Sequence, residues 1–288
     1  MPLKVIIDTD IGDDIDDALA LALAVNSPEI ELLGVTTVYG KVDIRAKLAA
    51  KILKEYKLSH IPITKGFSKP LINPEPIHVP NQAKVLKLDE TFSNILDNDA
   101  VSLFKEIVES EKEVYIITIG AMTNLAAFIL QYPELAKRIK VISMAGSVYY
   151  PRVEYNIRCD PEAARIVFDS GINITLVPLD VTLRCRMDDN LLNKFYSSKK
   201  REVSLLAKYL KYWQEFTHRI PILHDPLAIA VSYVRNIVKI KSEKIYVELG
   251  GEKARGIIIP NIGSSTINVA YDVDNIRFLK LFEERVLG

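Results

Sequence analysis

The sequence is poor in cysteine and carries no excess of charge of either sign. Its 288 residues include only two cysteines, Cys159 and Cys185, which are too few for a disulfide framework and lack the Cys-x-x-Cys spacing of redox and zinc motifs. Lys+Arg and Asp+Glu both number 37, so no basic surplus favours nucleic acid or an anionic membrane as a partner. The apolar run Ala18–Val25 is too short to span a bilayer, and no signal peptide precedes it. We therefore expect a cytoplasmic protein.

Six aspartates within ten residues are the most informative feature of the chain. They are Asp8, Asp10, Asp13, Asp14, Asp16 and Asp17. The apolar run Val5–Ile7 before them predicts a buried strand, and Ala18–Val25 after them predicts a helix. Acids at a helix N-terminus gain only roughly 0.3–1 kcal/mol each from the helix dipole, which is too little to offset the repulsion among so many. A hard divalent cation with oxygen ligands, Ca²⁺ or Mg²⁺, would offset it.

Two other interpretations of this cluster stay open at the level of sequence. The acids could be a strand-end residue, helix caps and solvated charges, with no ligand. A haloacid-dehalogenase-type phosphatase also begins with Asp-x-Asp after a strand, and its nucleophile would here be Asp8. An EF-hand does not fit, because its loop needs glycine at the sixth position and Gly12 is fifth from Asp8.

Strand-like and helix-like segments alternate along most of the chain. Predicted strands cover residues 30–38, 61–64, 114–119, 141–144 and 174–178, and predicted helices cover 43–56, 124–130, 161–169, 200–218, 225–233 and 273–286. Residues 239–270 predict further β-structure, and 66–98, with four prolines, predict a long functional or mobile loop. This order predicts an α/β fold over residues 1–288, with an open, mostly parallel mixed sheet and helices on both faces.

Polar groups follow several of the predicted strands, at the end of the sheet where α/β proteins bind ligands. They lie after the first strand, in Gly120–Asn124, in Met144–Gly146, in the loop 154–162 and in His224-Asp225-Pro226. These blocks resemble the motifs of the inosine–uridine-preferring nucleoside hydrolases. The family signature, Asp-x-Asp-Pro-Gly-x-Asp-Asp-Ala, corresponds to residues 8–18, which are two residues longer and carry Ile11 in place of proline.

The resemblance implies calcium-dependent hydrolysis of the N-glycosidic bond of purine or pyrimidine ribonucleosides, through an oxocarbenium-like transition state. By resemblance, Asp10 would be the general base on a metal-activated water, and His224 would protonate the leaving base unless it only orients Asp225. The implied calcium ligands are Asp10, Asp17, Asp225 and the main-chain carbonyl of Thr123. The implied ribose contacts are Asp16, Met144, Glu154 and Asn156. Family members are homo-oligomers, so a dimer or tetramer is expected.

Departures from the family pattern leave a non-catalytic nucleoside- or ribose-binding protein as a further alternative. Lys41 stands where the family often has Asn or Asp, and a His-Gly-x-x-Gly stretch is reduced to residues 78–81. Trp213 and Phe216 precede His224 on a predicted helix, where an aromatic ring could stack on a nucleobase. Because stacking tolerates many bases, these residue types do not predict which base is preferred.

Overall fold

One ten-stranded sheet runs through the computed structural model, which describes residues 1–288. Its strands are β1 Leu3–Thr9, β2 Ile30–Thr37, β3 Ile63–Lys65, β4 Ile95–Asp99, β5 Val114–Thr118, β6 Ile139–Met144, β7 Asn173–Val177, β8 Val238–Val247, β9 Ile258–Pro260 and β10 Thr266–Val273. They lie in the order β4-β3-β2-β1-β5-β6-β7-β10-β8-β9. Only the pairs β10–β8 and β8–β9 are antiparallel, so the predicted mostly parallel mixed sheet is confirmed.

Twelve α-helices accompany the sheet. They are α1 Asp16–Val25, α2 Val42–Glu55, α3 Ala100–Ser110, α4 Thr123–Gln131, α5 Pro133–Ala136, α6 Tyr155–Cys159, α7 Pro161–Asp169, α8 Leu179–Thr182, α9 Asp189–Ser197, α10 Arg201–Thr217, α11 His224–Tyr233 and α12 Asn275–Val286. None of them combines the length and the apolarity that crossing a membrane requires.

Both faces of the central strands are buried, which explains why β1 reads as a continuous apolar run. Val5 and Ile7 pack into a core with α1, α2, α10, α11 and α12. Ile6 points the other way and packs into a second core with α3, α4 and α7. Successive side chains of a strand point to opposite faces, so one short run supplies both cores.

The strand order reverses between β1 and β5, and this reversal places the site. From β1 the chain adds β2, β3 and β4 on one side, and then returns to the other side of β1 with β5. Asp8 lies beside Thr118 in the β1–β5 register, so the carboxyl ends of these strands are neighbours. Crevices at such a reversal are where open α/β sheets bind ligands.

The region predicted as a long loop contains regular structure. A 3₁₀ helix covers Asn81–Val85, and β4 pairs at the edge of the sheet with β3. Strand β4 was not predicted: most of it falls in the region assigned to the proline-rich loop, and its last three residues, Asp97, Asn98 and Asp99, are types that strands disfavour. Helices α3, α5, α6, α8 and α9 also lie outside the predicted helices.

Asp8 joins three elements below the surface. It is fully buried, and its Oδ1 accepts hydrogen bonds from Thr36 Oγ1 at 2.5 Å and from Asn124 Nδ2 at 2.7 Å. Asn124 Oδ1 in turn accepts from the Phe67 main-chain N–H at 2.8 Å. Gly66 permits this approach, since a Cβ there would lie 2.1 Å from Asn124 Oδ1. The side chains of Asp8 and Asn124 thus connect β1, β2 and α4 to the start of the proline-rich region.

Replacing Asn124 with aspartate should lower the free energy of unfolding by at least about 1–3 kcal/mol, because buried Asp8 would lose a donor and gain a like charge. Urea denaturation followed by circular dichroism measures this difference. Asn193→Asp, at an exposed position of α9, is the matched control. Equal stability of the two variants would contradict the structural role assigned to the Asp8–Asn124 contact.

Candidate active site

A cavity of about 740 Å³ opens at the carboxyl end of the sheet. Its wall is built from the acidic loop (residues 10–17), the segment 78–81, the start of α6, the end of α10 and the start of α11. All the site residues predicted from sequence line this cavity, with the exception of Thr123. The fold therefore brings together side chains that are far apart in sequence. Asp16 and Asp225, for example, are separated by 209 positions, and the main-chain N–H of Asp225 donates to Asp16 Oδ2.

Three carboxylates converge at the base of the cavity. Asp16, Asp17 and Asp225 each offer an oxygen, and these oxygens all lie within 4.8 Å of one another. Asp16 and Asp17 open α1, and Asp225 lies in the first turn of α11, so the positive ends of two helix dipoles face the same point. Asp17 is also held by the Thr9 hydroxyl, which donates to its Oδ1 at 2.5 Å.

The electrostatics of this group favour a bound cation. Burial, reinforced by the neighbouring acids, raises the pKa of Asp16, Asp17 and Asp225 well above the usual carboxyl range. Burial also raises the pKa of Asp10 to about 7, although the guanidinium of Arg45 opposes this shift. A hard divalent ion would keep these groups ionised, and a donor set made only of oxygens suits Ca²⁺ or Mg²⁺ better than Zn²⁺.

Only two of the predicted metal ligands belong to the group of three converging carboxylates. Asp17 and Asp225 belong to the converging group, whereas Asp10 lines the same cavity and acts on Asp17 through its charge. Asp16, predicted as a ribose contact, lies with Asp17 and Asp225. Thr123 begins α4, and its hydroxyl donates to Asp160 Oδ2 at 2.7 Å.

The predicted ribose contacts Met144, Glu154 and Asn156 form one hydrogen-bonded unit. Glu154 caps α6 by accepting from the main-chain N–H groups of Asn156 at 2.8 Å and Ile157 at 3.1 Å. It also accepts from Gly146 N–H at 2.9 Å, while Asn156 Nδ2 donates to the Met144 carbonyl at 3.0 Å. These bonds fix the carboxylate of Glu154 in one orientation at the cavity wall.

His224 is held by a hydroxyl group. Its Nδ1 lies 2.6 Å from Thr182 Oγ1, and burial lowers the pKa of the imidazole to about 4. The ring is therefore neutral near pH 7, and its Nε2 is the nitrogen left for a ligand.

Comparison with known proteins assigns the family. The sequence profile of the inosine–uridine preferring nucleoside hydrolases matches residues 5–280. The chain belongs to this family. It is 31% identical over 302 residues to uridine nucleosidase 1 of Arabidopsis thaliana, covering 94% of this chain and 89% of that protein. It is 30% identical over 285 residues to an inosine–uridine preferring nucleoside hydrolase of Leishmania major, covering 90% and 88%.

A solved structure agrees with this assignment. The purine-preferring ribonucleoside hydrolase from Gardnerella vaginalis matches with a TM-score of 0.87 and 28% identity, over 99% of this chain and 98% of that chain. The predicted family resemblance is confirmed, and the chain is an enzyme that hydrolyses ribonucleosides. Neither the phosphatase nor the non-catalytic binding protein is favoured.

The interior position of Asp8 explains why the phosphatase interpretation fails for this hydrolase. Asp8 does not line the cavity, and one of its carboxylate oxygens, Oδ1, accepts from both Thr36 and Asn124. Burial raises its pKa to about 7, which weakens it further as a nucleophile. Asp8 is thus a structural residue below the site.

The residues at the hydrolase site that were not predicted include Arg45, Thr182 and Arg219. Arg45 contacts the acidic loop, Thr182 contacts His224, and Arg219 lines the cavity. A signal for Arg45 does exist in the sequence. It lies on the same face of α2 as Leu48, Ala49 and Ile52, a spacing that marks a core position. Thr182, in the four-residue helix α8, has no comparable signal.

The shifted carboxyl pKa values predict how stability depends on pH. In chelator, the folded state binds more protons than the unfolded state between about pH 4 and pH 7, so its melting temperature should fall as pH rises. Added Ca²⁺ should keep the acids ionised and remove this loss, so the rise in melting temperature that it causes should grow with pH. Differential scanning fluorimetry across this range measures both trends. A calcium effect of equal size at both ends of the range would contradict the proposed coupling.

Proposed function

We propose that this enzyme is a calcium-dependent ribonucleoside hydrolase that releases free base and ribose by attack of water on the anomeric carbon. The observation that carries the proposal is the convergence of Asp16, Asp17 and Asp225, with Asp10 beside them, in a cavity that Glu154 and Asn156 also line. Carboxylates for a cation and groups for a sugar thus share one site.

The residues that would hold Ca²⁺ are Asp10, Asp17, Asp225 and the Thr123 carbonyl, with Asp16 as a further oxygen donor. A 6–8-coordinate hard ion accepts such a set, completed by water and substrate hydroxyls. A bound Ca²⁺ would orient the ribose 2′- and 3′-hydroxyls and would increase the acidity of the attacking water.

Asp10 is the proposed general base. Glu154 and Asp13 repel its negative charge, and Asp10 and Asp17 repel each other, so transfer of a proton to Asp10 relieves repulsion. The same surplus of negative charge stabilises the positive charge that develops on the ribose ring as the glycosidic bond breaks. The fixed carboxylate of Glu154 and the amide of Asn156 would bind ribose hydroxyls, and Met144 would pack against the sugar.

The leaving base needs a proton or a hydrogen bond, and His224 is the proposed donor. In the tautomer in which Nδ1 accepts from the Thr182 hydroxyl, the neutral ring carries its proton on Nε2, and this N–H would donate to a base nitrogen in the cavity that His224 lines. Trp213 and Phe216 line the same cavity; Trp213 is buried in the core, whereas exposed Phe216 would supply aromatic surface for stacking. The homo-oligomeric assembly and the cytoplasmic location stay predictions.

An assay of nucleosides tests the proposed function directly. Inosine, adenosine, guanosine, uridine and cytidine are incubated with the enzyme and free ribose is measured, with the 2′-deoxynucleosides alongside. We expect at least one ribonucleoside to be cleaved in Ca²⁺ and not in chelator, and deoxynucleosides to lose on the order of 10⁴-fold, because a site built for a hydroxyl rejects the analogue without it. Comparable rates on uridine and deoxyuridine, or full activity in chelator, would contradict the proposal.

Changing His224 to alanine should separate activation of the leaving group from the rest of the reaction. Natural nucleosides should lose about 10²–10⁴-fold in kcat, whereas p-nitrophenyl riboside, whose leaving group needs no proton, should be largely spared. Thr182→Val should show the same selectivity to a smaller degree, because it removes the hydroxyl that orients the ring. Equal loss on both substrate types would show that His224 only supports Asp225.

A further inference from the structure

A buried cation lies directly behind the acidic loop. Arg45, on α2, is fully buried, and its guanidinium contacts four acceptors. Nη1 donates to the main-chain carbonyls of Asp10 and Ile11, the latter at 3.0 Å. Nε donates to the Tyr39 carbonyl at 2.7 Å. Nη2 donates to Asp13 Oδ2 at 2.8 Å. An arginine is costly to bury unless its donors are satisfied, and here they are directed at the loop that carries the proposed base.

These contacts determine how Asp10 leaves the sheet. Thr9 is the last residue of β1, and its carbonyl still accepts from Val38 N–H at 3.1 Å. The next two carbonyls, of Asp10 and Ile11, accept from Arg45 instead. On the other side of Asp10, a Cβ at Gly120 would lie 2.9 Å from its nitrogen and 3.0 Å from Oδ1. The backbone of Asp10 is thus held between Arg45 and the end of β5.

Asp13 connects the same contact to another segment of the cavity wall. Its Oδ2, already bonded to Arg45, lies 2.9 Å from His78 Nε2. Asn81 Nδ2 donates to the Asp13 carbonyl at 2.8 Å, so the cavity-lining segment 78–81 is attached to the loop at this residue. Asp13 lies in the part of the chain that is two residues longer than the family signature.

We propose that Arg45 and Asp13 are a positioning pair: Arg45 sets the orientation of Asp10 for proton transfer, and Asp13 joins Arg45 to the wall segment that carries His78. The role of Arg45 rests on the proposed function of Asp10, whereas the attachment of the wall segment does not. The two residues act on different steps. Arg45 affects the orientation of the proposed base, and Asp13 affects the wall segment that encloses the substrate.

Arg45→Lys tests the first role, because lysine keeps the charge but has a single nitrogen that cannot serve all four acceptors. We expect kcat to fall by about 10²-fold with a much smaller change in KM, as displacement of a reacting group by about 1 Å has that effect. Asp13→Asn tests the second role at a partly exposed position, and it should raise KM about tenfold with little change in kcat. Arg165→Lys is the matched control, since Arg165 also bonds a carboxylate and a carbonyl but lies away from the cavity.

Hydrogen–deuterium exchange on the same proteins gives a readout that does not depend on turnover. Amides of residues 10–14 should exchange faster in Arg45→Lys, and those of 78–82 faster in both variants, with Arg165→Lys resembling the wild type. Wild-type kcat with an unchanged exchange pattern would overturn the proposal, and so would faster exchange spread evenly over both cores. If the wild type cleaves no nucleoside, the proposed function fails, and the exchange comparison still decides whether the pair positions the loop and the wall.

Discussion

The concentration of buried carboxylates at one end of the sheet is the constraint on which the rest of the site depends. Asp10, Asp16, Asp17, Glu154 and Asp225 are all buried, and burial raises the pKa of each. Such a group is tolerated only if other features of the fold supply positive charge or hydrogen-bond donors. Much of the surrounding architecture serves this need.

The carboxylates are compensated in three different ways. Glu154 accepts from main-chain N–H groups at the start of α6 and after β6. Asp16, Asp17 and Asp225 lie at the N-termini of α1 and α11, which pack against each other and place both helix dipoles at one point. Arg45 supplies a full positive charge behind Asp10. These devices lower the repulsion without removing it, and the remaining deficit is what a divalent cation would fill.

Much of this was predictable because the chemistry is concentrated in short stretches of sequence. The run from Asp8 to Asp17 follows a strand and opens a helix, so its place at the carboxyl end of the sheet follows from the chain itself. The motif that begins at His224 could be connected to that run only through the family resemblance, since nothing local in the sequence shows that α11 packs on α1. The structure supplies this contact.

The residues that were missed act through contacts distant in sequence. The spacing of Arg45 relative to the apolar residues of α2 marks a core position, but only the fold shows that its side chain contacts the acidic loop. Thr182 belongs to a helix too short to predict. Strand β4 was included in the proline-rich region predicted as loop, and although its acids disfavour strands, an edge position beside β3 accommodates them.

The central claim is that the converging acids form a cation site, and calorimetric titration of Ca²⁺ into chelator-treated protein tests it most directly. The wild type is compared with Asp225→Asn and with Asp189→Asn, an exposed acid in the first turn of α9. We expect a single tight Ca²⁺ site per chain in the wild type and in Asp189→Asn, and clear weakening in Asp225→Asn. Absence of calcium binding in the wild type, or equal affinity in Asp225→Asn, would contradict the account.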